Sequence, residues 1–118
     1  MPVRSRKCGT IVLSIGLSCA ATLGTATADP SAKEVVQFKK TELSQGYISG
    51  MGQAFVFANE YLSVAGQRRI YCPPGKLGIT QDQYLGILEQ YLKTRPDMNS
   101  QPAPLALLLA LREAFPCQ

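Results

Sequence analysis

Apolar positions recur every three or four residues in three stretches of the chain, the spacing of one face of an α-helix. The first stretch predicts a helix over residues 41–64. Its stripe is Tyr47, Met51, Phe55, Ala58 and Leu62, with Ile48, Ala54 and Tyr61 beside it. Gly46, Gly50 and Gly52 interrupt this helix. Because each glycine costs a helix interior about 1 kcal/mol, they predict either a kink or a face that another backbone approaches closely.

The best-marked helix start lies at Thr80. Its hydroxyl can accept a hydrogen bond from the Gln83 N–H, and the Gln83 side chain can accept one from the Thr80 N–H, which is a capping box. The apolar positions behind this start keep the helical spacing: Tyr84, Ile87, Leu88, Tyr91 and Leu92. Pro96 ends the predicted helix.

A further helix is predicted from about residue 102 to residue 115, with Asn99 or Ser100 as its N-cap and a proline in its first turn. Seven apolar residues in a row, residues 105–111, cover every side of two turns, so this helix must be buried on most sides. Residues 29–40 fit either a short helix or an extended arm. The sequence predicts an all-α fold, a small compact domain of three to four helices.

Residues 1–28 have the layout of a secretory signal peptide. Three basic residues precede an apolar, small-residue run over residues 9–23, and Ala26 and Ala28 offer the small side chains that a signal peptidase requires. We expect cleavage after Ala28, which leaves a single domain, residues 29–118, in the periplasm.

Two other interpretations of the N-terminal segment stay open. An uncleaved membrane anchor needs about 20 apolar residues, and Ser14, Gly16 and Ser18 dilute this run. A lipoprotein would be modified at Cys19, but Gly16 stands where a lipidation signal has a bulky aliphatic residue. A cleaved signal peptide fits the segment better than either.

Cleavage would remove Cys8 and Cys19 and leave an even number of cysteines in an oxidising compartment. A disulfide between Cys72 and Cys117 is then the simplest pairing. It would enclose the last two predicted helices.

Charge argues against a nucleic acid partner. The net charge of the chain is +4, but three of its twelve basic residues lie in the predicted signal, which leaves nine basic against eight acidic residues, about +1. Nucleic acid binding needs a concentrated basic face. Five tyrosines could interleave with Arg68 and Arg69 as a stacking surface, but core packing explains them better: Tyr47, Tyr61, Tyr71, Tyr84 and Tyr91.

Catalytic groups are hard to find in this sequence. Histidine is absent, which excludes imidazole chemistry and histidine ligands for zinc. Asp82 and Glu89 are best interpreted as solvated surface, and no Lys-Ser or Lys-Thr follows the glycines to form a phosphate loop. The residues predict a non-enzymatic interaction protein without a cofactor or a metal.

Four segments occur in an order that resembles the Rap/Tai family of type VI secretion immunity proteins. They are Gly46-Tyr47-Ile48-Ser49-Gly50-Met51, Tyr71-Cys72-Pro73-Pro74, Gln90-Tyr91-Leu92-Lys93-Thr94-Arg95-Pro96 and Ala110-Leu111-Arg112-Glu113-Ala114-Phe115-Pro116-Cys117. The resemblance implies a helical periplasmic protein that binds a peptidoglycan amidase and blocks its substrate groove sterically. It also implies that two copies can associate as a homodimer. Relatives often carry cysteines where this chain has Leu43-Ser44-Gln45, so one disulfide is expected, not two.

Two loops are candidate partner contacts, because loops held by rigid helices commonly carry recognition. They contribute Gln67, Arg68, Arg69 and Lys76. Plain connectors are the alternative interpretation of both loops. The alternative function is a periplasmic stress or chaperone-like helical protein without a dedicated enzyme partner.

Overall fold

The computed structural model describes residues 28–75 and 78–118, whose regular structure is four α-helices and one short 3₁₀ helix. In chain order these are α1 Ala32–Gln37, α2 Glu42–Val64, α3 Gln81–Thr94, the 3₁₀ helix Pro96–Ser100 and α4 Ala103–Ala114. The all-α prediction is therefore confirmed. The predicted signal peptide, up to residue 27, and Lys76 lie outside the described residues.

Side-chain caps start three of the helices. The predicted capping box of α3 is present, with 3.3 Å from the Gln83 N–H to the Thr80 hydroxyl and 2.8 Å from the Thr80 N–H to the Gln83 side chain. Thr41 caps α2. Ser31 and Glu34 form a second capping box at α1. Residues 29–40, for which the sequence allowed either a short helix or an extended arm, therefore contain a short helix. The backbone hydrogen bond from Ser31 lowers the pKa of Glu34.

The predicted cap of the last helix is wrong. Asn99 and Ser100 both belong to the 3₁₀ helix, and α4 starts after Pro102 without a side-chain cap. The free N–H of Ala103 donates instead to the carbonyl of Pro30, over 2.9 Å. The carbonyl of Pro30 thus satisfies an N–H group at the start of α4, where the sequence predicted a polar N-cap side chain.

The hydrophobic core lies around α3, which packs against α1, α2 and α4. Three leucines at its centre, Leu88, Leu107 and Leu111, are fully buried. Helix α4 is covered on most sides, as its apolar run predicts, although Leu105 remains 45% exposed. The core consequently joins all four helices into one domain.

The glycines of α2 divide into two groups. A Cβ on Gly52 would lie 2.3 Å from Cε2 of Tyr84, so this glycine lets the buried Tyr84 ring pack on the helix backbone. A Cβ on Gly46 or Gly50 would have no neighbour within 4 Å. The predicted close approach of another backbone is not seen among the described residues, because the near neighbour of Gly52 is a side-chain ring. Core packing is wrong for one of the five tyrosines, because Tyr61 is 72% exposed.

Candidate protein-binding site

The segment between α2 and α3, residues 65–80, is here called the connector. A disulfide joins it to the segment after α4. The Cys72 and Cys117 Cα atoms are 5.0 Å apart, which confirms the predicted pairing. The N–H of Cys72 also donates to the carbonyl of Phe115 over 2.8 Å. The two segments are therefore held together by one covalent bond and one backbone hydrogen bond.

The connector is also attached to α2, through Asn59. This side chain is 5% exposed, and it donates to the Tyr71 carbonyl and accepts from the Ile70 N–H, each over 2.8 Å. Sequence reasoning missed Asn59. The available signal was a lone amide between Phe55 and Leu62, on the side of the helix that the apolar stripe marks as buried.

Between the connector, α3 and α4 lies an open groove of about 810 Å³, here called the disulfide groove. Its apolar walls include Pro73 and Ile79 of the connector, Ile87 of α3, and Ala110 and Phe115 at the end of α4. All of these except Ala110 are only partly buried. The disulfide and the Asn59 hydrogen bonds fix the position of the connector wall.

Gly86 leaves a gap in the α3 wall of the disulfide groove. The residue is exposed, and a Cβ built on it meets no atom within 4 Å. A larger side chain here would project towards the groove without disturbing the core. A substitution at Gly86 can therefore change the shape of the groove without lowering the stability of the fold.

Three arginines, Arg68, Arg69 and Arg112, surround a hollow of about 410 Å³ beside the disulfide, together with Pro116 and Cys117. We call them the arginine patch. Since Phe115 borders the groove and Pro116 borders the hollow, the two features are neighbours. A largely apolar groove, which Glu113 also lines, therefore lies beside a basic hollow.

Two of the candidate contact residues, Arg68 and Arg69, belong to the arginine patch. Gln67, Arg68 and Arg69 are exposed, and the Arg68 guanidinium donates to the Cys117 carbonyl over 3.0 Å. Arg69 forms an ion pair with Glu60 at 3.2 Å. Lys76 lies outside the described residues. A role of these four residues in binding stays a prediction.

Several titratable groups of the described residues have structural roles. The Glu89 carboxylate accepts a hydrogen bond from the Lys39 ammonium over 2.8 Å, and this contact lowers the pKa of Glu89. Asp82 lies in the first turn of α3, where it complements the helix dipole. Burial, and secondarily the neighbouring Tyr84 hydroxyl, raises the pKa of Tyr71 to about 12.

Neither a cluster of metal-binding side chains nor an apolar helix of membrane-spanning length occurs in the described residues. No group of three or more histidine, cysteine, aspartate or glutamate side chains is placed to hold a metal ion there. None of the helices in residues 28–75 and 78–118 has the length and apolarity needed to cross a membrane.

Comparison with known proteins gives one result. Residues 17–117 match the family of Rap1a immunity proteins, which covers most of the chain. No curated protein and no solved structure matches the chain. The match includes the connector, both helices that form the disulfide groove and both bonded cysteines. The chain therefore belongs to the Rap1a family of immunity proteins.

Proposed function

We propose that this protein is a periplasmic immunity protein that binds a type VI secretion effector of the peptidoglycan amidase class and blocks it sterically. The observation that carries the proposal is the family match over residues 17–117. Membership in an immunity family implies that the chain binds a partner effector. The amidase class and the periplasmic site come from the resemblance of the sequence segments and from the signal-like N-terminus.

The disulfide groove and the arginine patch are the proposed effector-binding site. Protein interfaces are commonly centred on a concave apolar area, and arginine is enriched among their strongest contacts. The groove offers partly exposed Ile79, Ile87 and Phe115 side chains, and Arg68 and Arg112 lie next to it. We expect an apolar projection of the effector to enter the groove while acidic groups around that projection meet the arginines.

A fixed connector favours steric inhibition. Ordering a flexible loop on binding costs free energy, which a preorganised surface avoids. Here Cys72 is bonded to Cys117, and the carbonyl of Tyr71 and the N–H of Ile70 are bonded to Asn59 before any partner arrives. The protein can therefore present the groove as a rigid surface.

The first prediction concerns the groove. Gly86→Arg is expected to weaken amidase binding at least about 10-fold, since a long charged side chain would occupy an apolar contact area. The fold should be retained, because the position has open space and an arginine there can pair with Asp82 one turn earlier. Gln37→Arg, an exposed change on α1, is the matched control. Binding is measured by titrating the protein, purified from the periplasm, into amidases encoded beside its gene.

Three outcomes of this titration are informative. Tight binding that is lost in Gly86→Arg and kept in Gln37→Arg supports both the function and the site. Equal binding by all three proteins would remove the groove from the site but keep the function. If no amidase binds or is inhibited in peptidoglycan hydrolysis, the stress or chaperone-like alternative takes its place.

The second prediction concerns processing. We expect the protein recovered from the periplasm to begin at Asp29, because Ala26 and Ala28 supply the small residues of a signal peptidase site. Intact-mass spectrometry measures this directly. Ala28→Arg should slow the cleavage, while Asp29→Asn should not. A mass that corresponds to the uncleaved chain, or to a lipid on Cys19, would contradict the prediction.

A further inference from the structure

Among the described residues that line the disulfide groove, Glu113 alone carries a charge. It lies in the last turn of α4, next to Arg112, which lines the neighbouring basic hollow. The other described residues of the groove are apolar or neutral. The groove therefore combines a single carboxylate with apolar walls.

The position of Glu113 is unfavourable for the helix that carries it. The free carbonyl groups at the end of a helix form the negative end of its dipole, so cations stabilise the last turn and carboxylates do not. Glu113 lies in the turn with which α4 ends at Ala114. The carboxylate and the terminal carbonyls together give this end of the groove a negative potential, which favours a bound cation.

Arg95 compensates the charge of Glu113 only in part. Its guanidinium lies 3.4 Å from the Glu113 carboxylate, and the two side chains are 54% and 53% exposed. Ion pairs exposed to this extent contribute little stability. The Arg95 guanidinium also lies over the Tyr91 ring, 5.9 Å from its centroid, so it keeps a contact when Glu113 has another partner. The carboxylate is therefore available to a ligand.

We infer that the disulfide groove selects a segment of the effector in which a basic side chain, lysine or arginine, accompanies an apolar one, and that Glu113 binds the basic group. The inference rests on the proposed function and deepens it, because it names the chemistry that the groove recognises. The acidic contacts expected at the arginine patch have the opposite sign. Two contacts of opposite sign fix the orientation in which the partner binds.

The groove also limits the spacing between the two side chains of the partner. The apolar side chain enters the gap at Gly86, and the basic one reaches the end of α3 at Thr94, where the next residue, Arg95, contacts Glu113. From Gly86 to Thr94 the helix rises about 12 Å, at about 1.5 Å per residue. An extended segment advances about 3.3 Å per residue, so the two side chains stand no more than about four positions apart.

Breaking the Arg95–Glu113 ion pair from either side tests the inference. Glu113→Gln removes the carboxylate and should weaken amidase binding at least about 10-fold. Arg95→Gln breaks the same ion pair but frees the carboxylate, so binding should stay equal or become tighter. Asp97→Asn, at an exposed acid outside the groove, is the matched control and should have no effect.

The two halves of the ion pair separate recognition from structure. Weaker binding in Glu113→Gln together with undiminished binding in Arg95→Gln supports the inference. A loss of the same size in both variants would assign the ion pair a purely structural role and overturn it. Unchanged binding by Glu113→Gln would also overturn it, while the proposed function would stand because the amidase still binds.

Short random peptides displayed on phage test the groove without any effector. The immobilised protein, purified from the periplasm, should select peptides with a lysine or arginine within about four positions of an apolar residue. Glu113→Gln and Gly86→Arg should fail to retain these peptides, and Asp97→Asn should retain them. Selection of peptides without a basic residue, their retention by Glu113→Gln, or selection of no peptide would overturn the inference. Failure of the unmodified protein to bind any amidase would instead remove the proposed function.

Discussion

Replacing both bonded cysteines by alanine is expected to lower the free energy of unfolding by about 4 kcal/mol. Cys72 and Cys117 are 45 residues apart in sequence, and the chain entropy that a closed loop of this length removes from the unfolded state corresponds to about 4 kcal/mol. Small domains are stable by only about 5–15 kcal/mol. The loss therefore covers a large share of the total.

Urea unfolding followed by circular dichroism measures this loss. The matched comparison is the unmodified protein in reducing agent, which should lose a similar amount, while the double alanine variant should be insensitive to the reductant. We also expect weaker effector binding in both cases, because Cys72 holds one wall of the disulfide groove and Cys117 follows the other. A loss below about 1 kcal/mol would show that the reduced chain keeps the loop closed by other contacts.

Asn59→Ala is expected to cost about 2–6 kcal/mol. The substitution removes two buried hydrogen bonds and leaves the Ile70 N–H and the Tyr71 carbonyl without their partner. Each buried polar group left unpaired costs about 1–3 kcal/mol. Because both groups belong to the connector, we expect its hydrogen exchange to accelerate more than that of α4.

Ser44→Ala is the matched control for Asn59→Ala. Ser44 is also a buried polar residue of α2, but its hydroxyl makes one 2.8 Å hydrogen bond, to the Val35 carbonyl, so its removal leaves one polar group unpaired and should cost about 1–3 kcal/mol, half the loss at Asn59. Thermal unfolding of the two variants gives the comparison. Equal losses would mean that water replaces the connector contacts of Asn59 and would contradict the role assigned to it.

Local chemistry made several elements predictable from sequence. The Thr80–Gln83 capping box lies within four residues, so the start of α3 could be identified without tertiary information. The Cys72–Cys117 pair followed from the expected removal of the other two cysteines. The family resemblance was found in segments that include both bonded cysteines, and the match over residues 17–117 confirms it.

What the sequence did not show depends on contacts between distant segments. The start of α4 is satisfied by the carbonyl of Pro30, some 70 residues earlier, so local capping preferences pointed wrongly to Asn99 or Ser100. Helix α2 is apolar on two sides, and periodicity alone could not tell which one faces the core. Tyr61 was consequently placed beside the buried stripe, although it is 72% exposed.

The position of the disulfide also sets an order of assembly. Cys72 precedes α3 and Cys117 follows α4, so a chain that emerges from its N-terminal end exposes the first cysteine long before its partner. The bond can close only after both helices have been synthesised. Until then the core lacks α4 and the groove lacks a wall. The disulfide therefore forms only after the rest of the domain has been synthesised, and oxidation is the step that closes it.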